Sequence, residues 1–211
     1  MQGLPSLRNN LATWAVPVEQ IPALTQVMLE SLPPESHDMA FAGQELATTY
    51  FDTQNLDLRK NRLHQDKYLT LRVRCYQHQG DRAYALSAKT EEEKFHRQIS
   101  GDEAERLWSG DNPLAQLSQL LPGHLVARLI DISHEEPLGP VVTIRCRRYA
   151  REDDTTRLTL DLDIRTDTGK SLPYGVCEFK SITEDDRPPP ALADIPIRPM
   201  KLSKFLWALD V

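Results

Sequence analysis

The segment from Tyr68 to Tyr76 constrains the fold of this chain most strongly, because its side chains alternate in character at every position. The apolar set is Leu69, Leu71, Val73 and Cys75, and the polar set is Thr70, Arg72, Arg74 and Tyr76. Alternation with a period of two residues predicts a β-strand with one buried face. On such a strand the guanidinium groups of Arg72 and Arg74 point the same way about 7 Å apart, so this face favours water or a bound anion.

Four other segments repeat this design, with apolar side chains on one face and mainly Arg and Lys, with a few carboxylates, on the other. They are Ala85–Glu91, Val142–Arg147, Arg157–Ile164 and Val176–Lys180. Further strands are predicted at Leu11–Val16, Gln44–Asp52 and Lys94–Ser100, which brings the total to about eight. A polar loop through Asn55, Asn61 and His64 is predicted before Tyr68.

Apolar residues at helical spacing predict helices between and around the strands. These helices are Val18–Leu32, Asp102–Trp108, Asn112–Leu121, Leu125–Ile132 and Lys201–Leu209. The run Pro188–Pro190 predicts an extended connector. The sequence therefore predicts an α+β protein.

The direction in which the charged strand faces point distinguishes two possible architectures, a closed barrel and an open sheet. Eight antiparallel strands can close into a barrel, which removes exposed strand edges. If helices pack outside such a barrel, the apolar faces point outward to meet them and the charged faces line the lumen. The alternative is an open sheet packed on helices, in which the charged faces are solvated, as is usual for a single antiparallel strand.

The length and composition limit the class of protein. A chain of 211 residues suits one domain, predicted over residues 1–211. The net charge of −6 excludes a general polycation that would attract nucleic acid, so an anion site requires a local concentration of Arg and Lys. No apolar run approaches the ~20 residues of a membrane span, and we expect a cytoplasmic protein. The three cysteines lie on apolar strand faces and are interpreted as buried thiols.

Several familiar catalytic motifs are absent from the sequence. The segment Thr168–Ser171 resembles the end of a phosphate-binding P-loop, but the earlier glycine would have to stand at Ile164, and a hairpin turn is the better interpretation. The six histidines show no metal-ligand spacing. The run Glu91–Glu93 is interpreted as a solvated turn rather than a metal site.

Five short motifs, in order along the chain, resemble those of one family. They are Tyr50–Thr53 followed by Leu56–Arg59, Leu71–Arg74, Arg157–Asp161, Cys177–Lys180 and Leu202–Phe205. They are similar to the Y-F-D-T-x-x-L, L-R-x-R, R-x-T-x-D, L-E-x-K and S-K-F/Y motifs of the VTC domain. This is the polyphosphate polymerase domain of the vacuolar transporter chaperone complex, and it belongs with the CYTH domains to the triphosphate tunnel metalloenzymes.

The resemblance implies a barrel of eight antiparallel strands whose charged lumen holds triphosphate, polyphosphate or a nucleoside triphosphate. It implies six phosphate-binding residues, and Arg145 and Lys180 are weaker candidates because they share the predicted inward parity. The six are Arg72, Arg74, Lys89, Arg147, Arg157 and Lys204. It also implies that Glu178 holds Mg²⁺ or Mn²⁺, hard cations that prefer oxygen ligands.

Two acidic residues and one departure from the family pattern bear on activity. Asp161 and Asp163 share the predicted charged face and could orient water or complete the metal site, but ion pairs with Arg157 and Arg147 are the favoured interpretation. The first strand has Leu11 where the family has Glu, and Thr13 where it has Lys. We therefore expect metal-dependent phosphoryl transfer, as a polymerase or a triphosphatase, with a binding or regulatory module as the alternative.

Overall fold

The computed structural model describes residues 9–33, 43–64, 68–110, 112–134, 136–181 and 192–210. These residues form nine strands and six α-helices. The strands are β1 (Asn9–Val16), β2 (Gln44–Thr53), β3 (Thr70–His78), β4 (Asp81–Lys89), β5 (Lys94–Ile99), β6 (Leu138–Glu152), β7 (Thr156–Thr166), β8 (Gly175–Ser181) and β9 (Arg198–Pro199). The helices are α1 (Ile21–Ser31), α2 (Asp57–His64), α3 (Gly101–Trp108), α4 (Pro113–Leu120), α5 (Gly123–Ser133) and α6 (Lys204–Ala208).

The strands belong to one sheet with the order β5-β4-β3-β2-β6-β7-β8-β1-β9. The predicted α+β class with antiparallel strands is confirmed. The sheet has nine strands instead of eight, because the two-residue strand β9 adds to β1 through Pro199, opposite Trp14, and Arg198, opposite Ala15. Within the described residues, β5 and β9 are the two ends of this order.

One predicted loop is wrong, because residues 57–64 form helix α2. The helix begins where Asp52 and Thr53 satisfy its first backbone groups. One oxygen of the Asp52 carboxylate accepts the amide hydrogen of Leu58 at 2.8 Å, and the Thr53 hydroxyl oxygen accepts that of Asp57 at 3.1 Å. Capping of this kind stabilises a helix whose composition is too polar to reveal it by periodicity. The predicted connector Pro188–Pro190 lies outside the described residues.

The described residues group into two compact units. Unit 1 comprises the described parts of residues 1–45, 145–165 and 169–203, and unit 2 those of residues 46–144, 166–168 and 204–211. In unit 2, the apolar faces of β3 and β4 pack in a core with residues of α3, α4 and α5. This core includes Leu71, Val73, Leu86, Leu107, Leu117, Leu125 and Leu129. The charged faces of β3 and β4 therefore point away from these helices.

Unit 1 has the same arrangement around helix α1. Its core contains the apolar residues of β7 and β8, including Leu158, Leu160, Cys177 and Phe179, together with Leu24 and Met28 of α1. Cys146 and Cys177 are buried, as predicted, and Cys75 is half-buried. Burial raises the pKa of the Cys177 thiol above its ordinary value. In each unit the apolar strand face meets helices, as the alternation predicted. None of the helices in the described ranges is long and apolar enough to cross a membrane.

Candidate functional site

The face of β3, β4 and β5 that points away from the helices of unit 2 carries a concentration of positive charge, and we call it the basic face. The strand register places Arg72 opposite Ser87 and Ser87 opposite His96, so these three side chains form a row across the strands. The adjacent rows are Thr70, Lys89 and Lys94 on one side and Arg74, Ala85 and Gln98 on the other. Directly opposed residues of antiparallel strands share a face. The nine positions of the basic face include no carboxylate.

The charges of the basic face act strongly on one another. Burial first, and the neighbouring charge of Arg74 second, lower the pKa of Arg72, while its interaction with Tyr50 works in the opposite direction. Burial, followed by the charges of Lys94, Arg74 and Arg72, lowers the pKa of His96 to about 4. Burial is the larger cause, and the three neighbouring cations add to it, so part of this shift reflects a local positive potential. Such a potential favours an anionic ligand.

The motif Tyr50–Thr53 positions the basic face and the helix beside it. The Tyr50 hydroxyl forms a hydrogen bond with Arg72, and the Tyr50 ring stacks on Phe205 with centroids 5.0 Å apart. Asp52 is buried, and its two carboxylate oxygens accept the backbone N–H groups of Thr53, Leu58 and Arg59 at 2.8 to 2.9 Å. Burial raises the pKa of Asp52, against the opposing effect of these three hydrogen bonds. The motif is therefore structural, since it fixes an arginine and starts a helix.

Lys204 is the first residue of α6 and lies in the same unit as the basic face. Its side chain is half-buried, and the next residue, Phe205, stacks on Tyr50. Of the predicted phosphate-binding residues, Arg72, Arg74 and Lys89 lie on the basic face, and Lys204 is tied to it through this stack.

A second charged face, which we call the mixed face, lies on β7, β8 and β1 in unit 1. The register gives three rows: Arg157, Lys180 and Asn10; Thr159, Glu178 and Thr13; and Asp161, Val176 and Ala15. The Lys180 ammonium lies 3.6 Å from Glu178, and Arg157 lies 3.7 Å from Glu152. The predicted residues Arg157, Lys180, Glu178 and Asp161 therefore occupy one face. Unlike the basic face, it combines both signs of charge.

The structure gives Asp161 a partner that was not predicted. Arg148 donates to its carboxylate from Nε to Oδ1 at 2.6 Å and from Nη2 to Oδ2 at 2.7 Å, whereas the predicted partners were Arg157 and Arg147. The side chains are 1% and 11% exposed. Burial lowers the pKa of Arg148, but the Asp161 carboxylate outweighs burial and holds it well above its ordinary value. With both oxygens engaged, Asp161 is a structural partner of Arg148.

Sequence reasoning missed Arg148 because the alternation assigned its position, with Ile144 and Cys146, to an apolar face of β6, whereas its side chain meets Asp161 on the mixed face. The signal that could have revealed it is the pair Arg147-Arg148, since consecutive residues of a strand point to opposite faces. One of the two must therefore share a face with Ile144 and Cys146. A buried arginine requires a carboxylate partner.

Three other predicted residues lie on exposed surface of unit 1. Arg145 is exposed, and Arg147 is about half exposed and binds Glu45 at 3.3 Å. Asp163 is exposed because its backbone adopts a left-handed conformation with φ of 53°, which interrupts the alternation that placed it beside Asp161. The register of β7 with β8 ends at Asp161. The paired rows that define the mixed face therefore include none of Arg145, Arg147 and Asp163.

Glu178 was predicted to hold a divalent metal, and its surroundings limit how it could do so. Across the described ranges, no group of three or more His, Cys, Asp or Glu side chains converges. Beside Glu178 lie Thr13 and Thr159, and the buried Thr159 hydroxyl has no hydrogen-bond partner in the described part of the chain. One carboxylate and one unsatisfied hydroxyl fit a hard cation whose remaining ligands are water and phosphate oxygens, which is the usual mode of Mg²⁺.

The run Glu91–Glu93 forms the turn between β4 and β5 and contacts helix α5. Arg128 binds Glu91 and Glu92, and His124 binds Glu93. Against burial, which raises it, the hydrogen bond from Arg128 lowers the pKa of Glu91. These contacts agree with the predicted turn, and they engage the carboxylates nearest in sequence to the basic face.

Comparisons with known proteins agree with this architecture. The VTC domain family model matches residues 12–209. A candidate adenylyl cyclase from Hippeastrum, described as having a dominant triphosphatase activity, is 15% identical with a TM-score of 0.65, over 92% of this chain and 91% of that one. A Pyrococcus horikoshii protein is 14% identical with a TM-score of 0.56, over 94% of both chains.

A third structure, a candidate adenylate cyclase from Bacillus halodurans, is 17% identical with a TM-score of 0.53, over 82% of this chain and 80% of that one. No curated protein sequence matches the chain significantly. At these identities the structures show the fold alone. They confirm the predicted α+β fold of the triphosphate tunnel class.

Proposed function

We propose that this chain, which belongs to the VTC domain family, binds the triphosphate or polyphosphate group of its substrate on the basic face and carries out metal-dependent phosphoryl transfer. The reaction would be polyphosphate synthesis from a nucleoside triphosphate, or hydrolysis of a triphosphate. Such a reaction suits the cytoplasm, the location that we propose. The proposal is supported most directly by the basic face, where Arg72, Arg74, Lys89 and Lys94 share a surface without a carboxylate at any of its nine register positions.

The chemistry of arginine suits this ligand. Its planar guanidinium remains protonated and donates paired hydrogen bonds to phosphate oxygens. At an effective dielectric constant of about 20, one cation and one phosphate charge 4 Å apart attract by about 4 kcal/mol before desolvation. Tyr50 fixes the position of Arg72, so this cation is partly preorganised for binding. Several such contacts together would give binding that weakens strongly as salt concentration rises.

The catalytic part of the proposal concerns Glu178 on the mixed face. Glu178 and the Thr159 hydroxyl would supply protein oxygens to Mg²⁺ or Mn²⁺, and water and phosphate oxygens would complete the shell. The cation, when bound, would offset charge on the phosphoryl group during transfer. Within unit 1, Arg157 and Lys180, in the row next to Glu178, would hold phosphate oxygens close to this cation. The acceptor would decide the reaction, since a phosphate chain end gives a polymer and water gives hydrolysis.

Binding is tested by calorimetric titration with tripolyphosphate. Replacing Arg72 with Gln removes a charge-assisted contact, and we expect the dissociation constant to rise roughly 10- to 100-fold. Arg82→Gln is a matched control, because Arg82 is an exposed arginine at the far end of β4, opposite Gln77. Equal affinity in both variants would contradict the proposal. So would tighter binding of single-stranded RNA than of tripolyphosphate by the wild-type protein.

Turnover is tested separately by supplying ATP or tripolyphosphate with Mn²⁺ and measuring released phosphate and polyphosphate. We expect Glu178→Gln to lose most activity while it retains tripolyphosphate binding. Unchanged product formation in this variant would remove Glu178 from the mechanism.

A second candidate function is a phosphate-binding or regulatory module without turnover. It is favoured by Thr13, which lies directly opposite Glu178 and stands where the family has a lysine. A threonine there supplies no positive charge to a phosphate. This function predicts that tripolyphosphate raises the melting temperature while no product forms with any metal.

A further inference from the structure

His96 lies on the basic face, and the proposed function does not yet use it. Its Nδ1 is 2.9 Å from the Ser87 hydroxyl oxygen, and Ser87 stands between His96 and Arg72 in the same row. Strands are spaced about 4.8 Å apart, so His96 and Arg72 stand roughly 10 Å apart at the two ends of this row. His96 is an exposed residue, so a ligand on this face can reach it.

Every charged group that shares the basic face with His96 is positive. Arg72 and Arg74 belong to β3, Lys89 belongs to β4, and Lys94 precedes His96 by two residues on β5. The carboxylates of the adjacent turn are engaged by Arg128 and His124 of α5. Without an anion, burial together with these charges lowers the pKa of the ring to about 4 and keeps it neutral at physiological pH.

A polyanion on the basic face would favour protonation of the ring, because it would offset the neighbouring positive charges and attract the charged imidazolium. Protonation would also change the hydrogen bond to Ser87. Both nitrogens of an imidazolium are donors, so Nδ1 can then only donate to the Ser87 oxygen. One proton taken from solvent would thus add a positive charge to the row that contains Arg72.

We propose that His96 is a further binding residue for the phosphate ligand, and that it takes up a proton as the ligand binds. This inference rests on the proposed binding of phosphate to the basic face. By linkage, a ligand that promotes protonation binds more tightly as the pH falls. If the ligand restores the ordinary His pKa of 6.5 from about 4, affinity rises roughly 20-fold between about pH 7 and pH 5.

The experiment titrates the protein with cyclic trimetaphosphate at several pH values. All acidic groups of this probe are strong acids, so its own charge does not change over the range. For the wild-type protein we expect the roughly 20-fold gain toward pH 5, and for His96→Gln we expect the gain to disappear. His134→Asn is the matched control, because His134 is exposed at the end of α5 in a left-handed conformation that Asn tolerates. The control should retain the full pH dependence.

A nuclear magnetic resonance titration of the His96 ring in the wild-type protein gives a second readout that does not depend on a variant folding. We expect saturating trimetaphosphate to move the pKa of His96 upward. An unchanged pKa in the saturated protein would overturn the inference, as would equal pH dependence in wild type and His96→Gln. If trimetaphosphate and tripolyphosphate do not bind the wild-type protein at any pH, the proposed function itself fails.

Discussion

The buried pair of Arg148 and Asp161 should be energetically coupled far more strongly than the exposed pair beside it. Replacing Asp161 with Leu leaves the Arg148 guanidinium buried without its anion, and replacing Arg148 with Met leaves the carboxylate without its cation. Both side chains are nearly or fully inaccessible, at 11% and 1% exposure. Each single change should therefore destabilise the protein, while the double change removes both charges together.

The magnitude follows from geometry and burial. Removing one partner of a buried ion pair costs about 3–5 kcal/mol, whereas replacing both with apolar side chains of similar volume is often close to neutral. The coupling energy of the cycle should then exceed about 2 kcal/mol. An adjacent arginine supplies the control, since Arg147 pairs with Glu45 at 48% and 57% exposure. An exposed pair of this kind contributes less than about 1 kcal/mol.

Urea denaturation of the wild type, the four single variants and the two double variants measures both coupling energies. The reasoning is refuted if the coupling for Arg148 and Asp161 is no larger than that for Arg147 and Glu45. Additive single effects would have the same consequence. Either result would mean that Arg148 does not hold Asp161 in a purely structural role, and Asp161 would again be a candidate catalytic residue.

Three further predictions concern other parts of the fold. Asp52→Ala should lower the free energy of unfolding by about 2–4 kcal/mol, because three backbone N–H groups lose their acceptor, and Asp52→Asn should cost less in the same urea assay. Gly43→Ala should lower the melting temperature more than Gly80→Ala, since both have positive φ but only at Gly43 does the added Cβ come within 2.8 Å of a neighbouring atom. Because the pKa of Glu91 is lowered in the folded protein, its pairing with Arg128 stabilises above the unfolded value of 4.5 and is lost as the pH falls through the folded value. The melting-temperature difference between wild type and Arg128→Gln should therefore shrink in acid.

Strand alternation was sufficient to predict the basic face, because the period of two residues fixes which side chains share a surface. It identified Arg72 and Arg74 as neighbours and placed the apolar side of their strand against helices, both of which the structure confirms. The rule depends on an uninterrupted strand. At Asp163 a single residue in the left-handed conformation ends the alternation, and the local sequence did not predict this conformation.

Other features depend on contacts between residues distant in sequence. Helix α2 was missed because its composition is polar and its start depends on the carboxylate of Asp52, a residue of the preceding strand. The partner of Asp161 was missed because Arg148 lies 13 residues away on another strand. His96 was dismissed for lack of metal-ligand spacing, since a linear sequence does not show that a single strand, β4, separates it from Arg72.

Because Tyr50 stacks on Phe205, substitutions at these two positions should affect each other during evolution. The Tyr50 ring packs against helix α6, and the Tyr50 hydroxyl holds Arg72 by a hydrogen bond. A smaller residue at position 205 would let the ring tilt, and a residue without a hydroxyl at position 50 would release the guanidinium. Descendants of this chain should therefore change these two positions in concert or not at all.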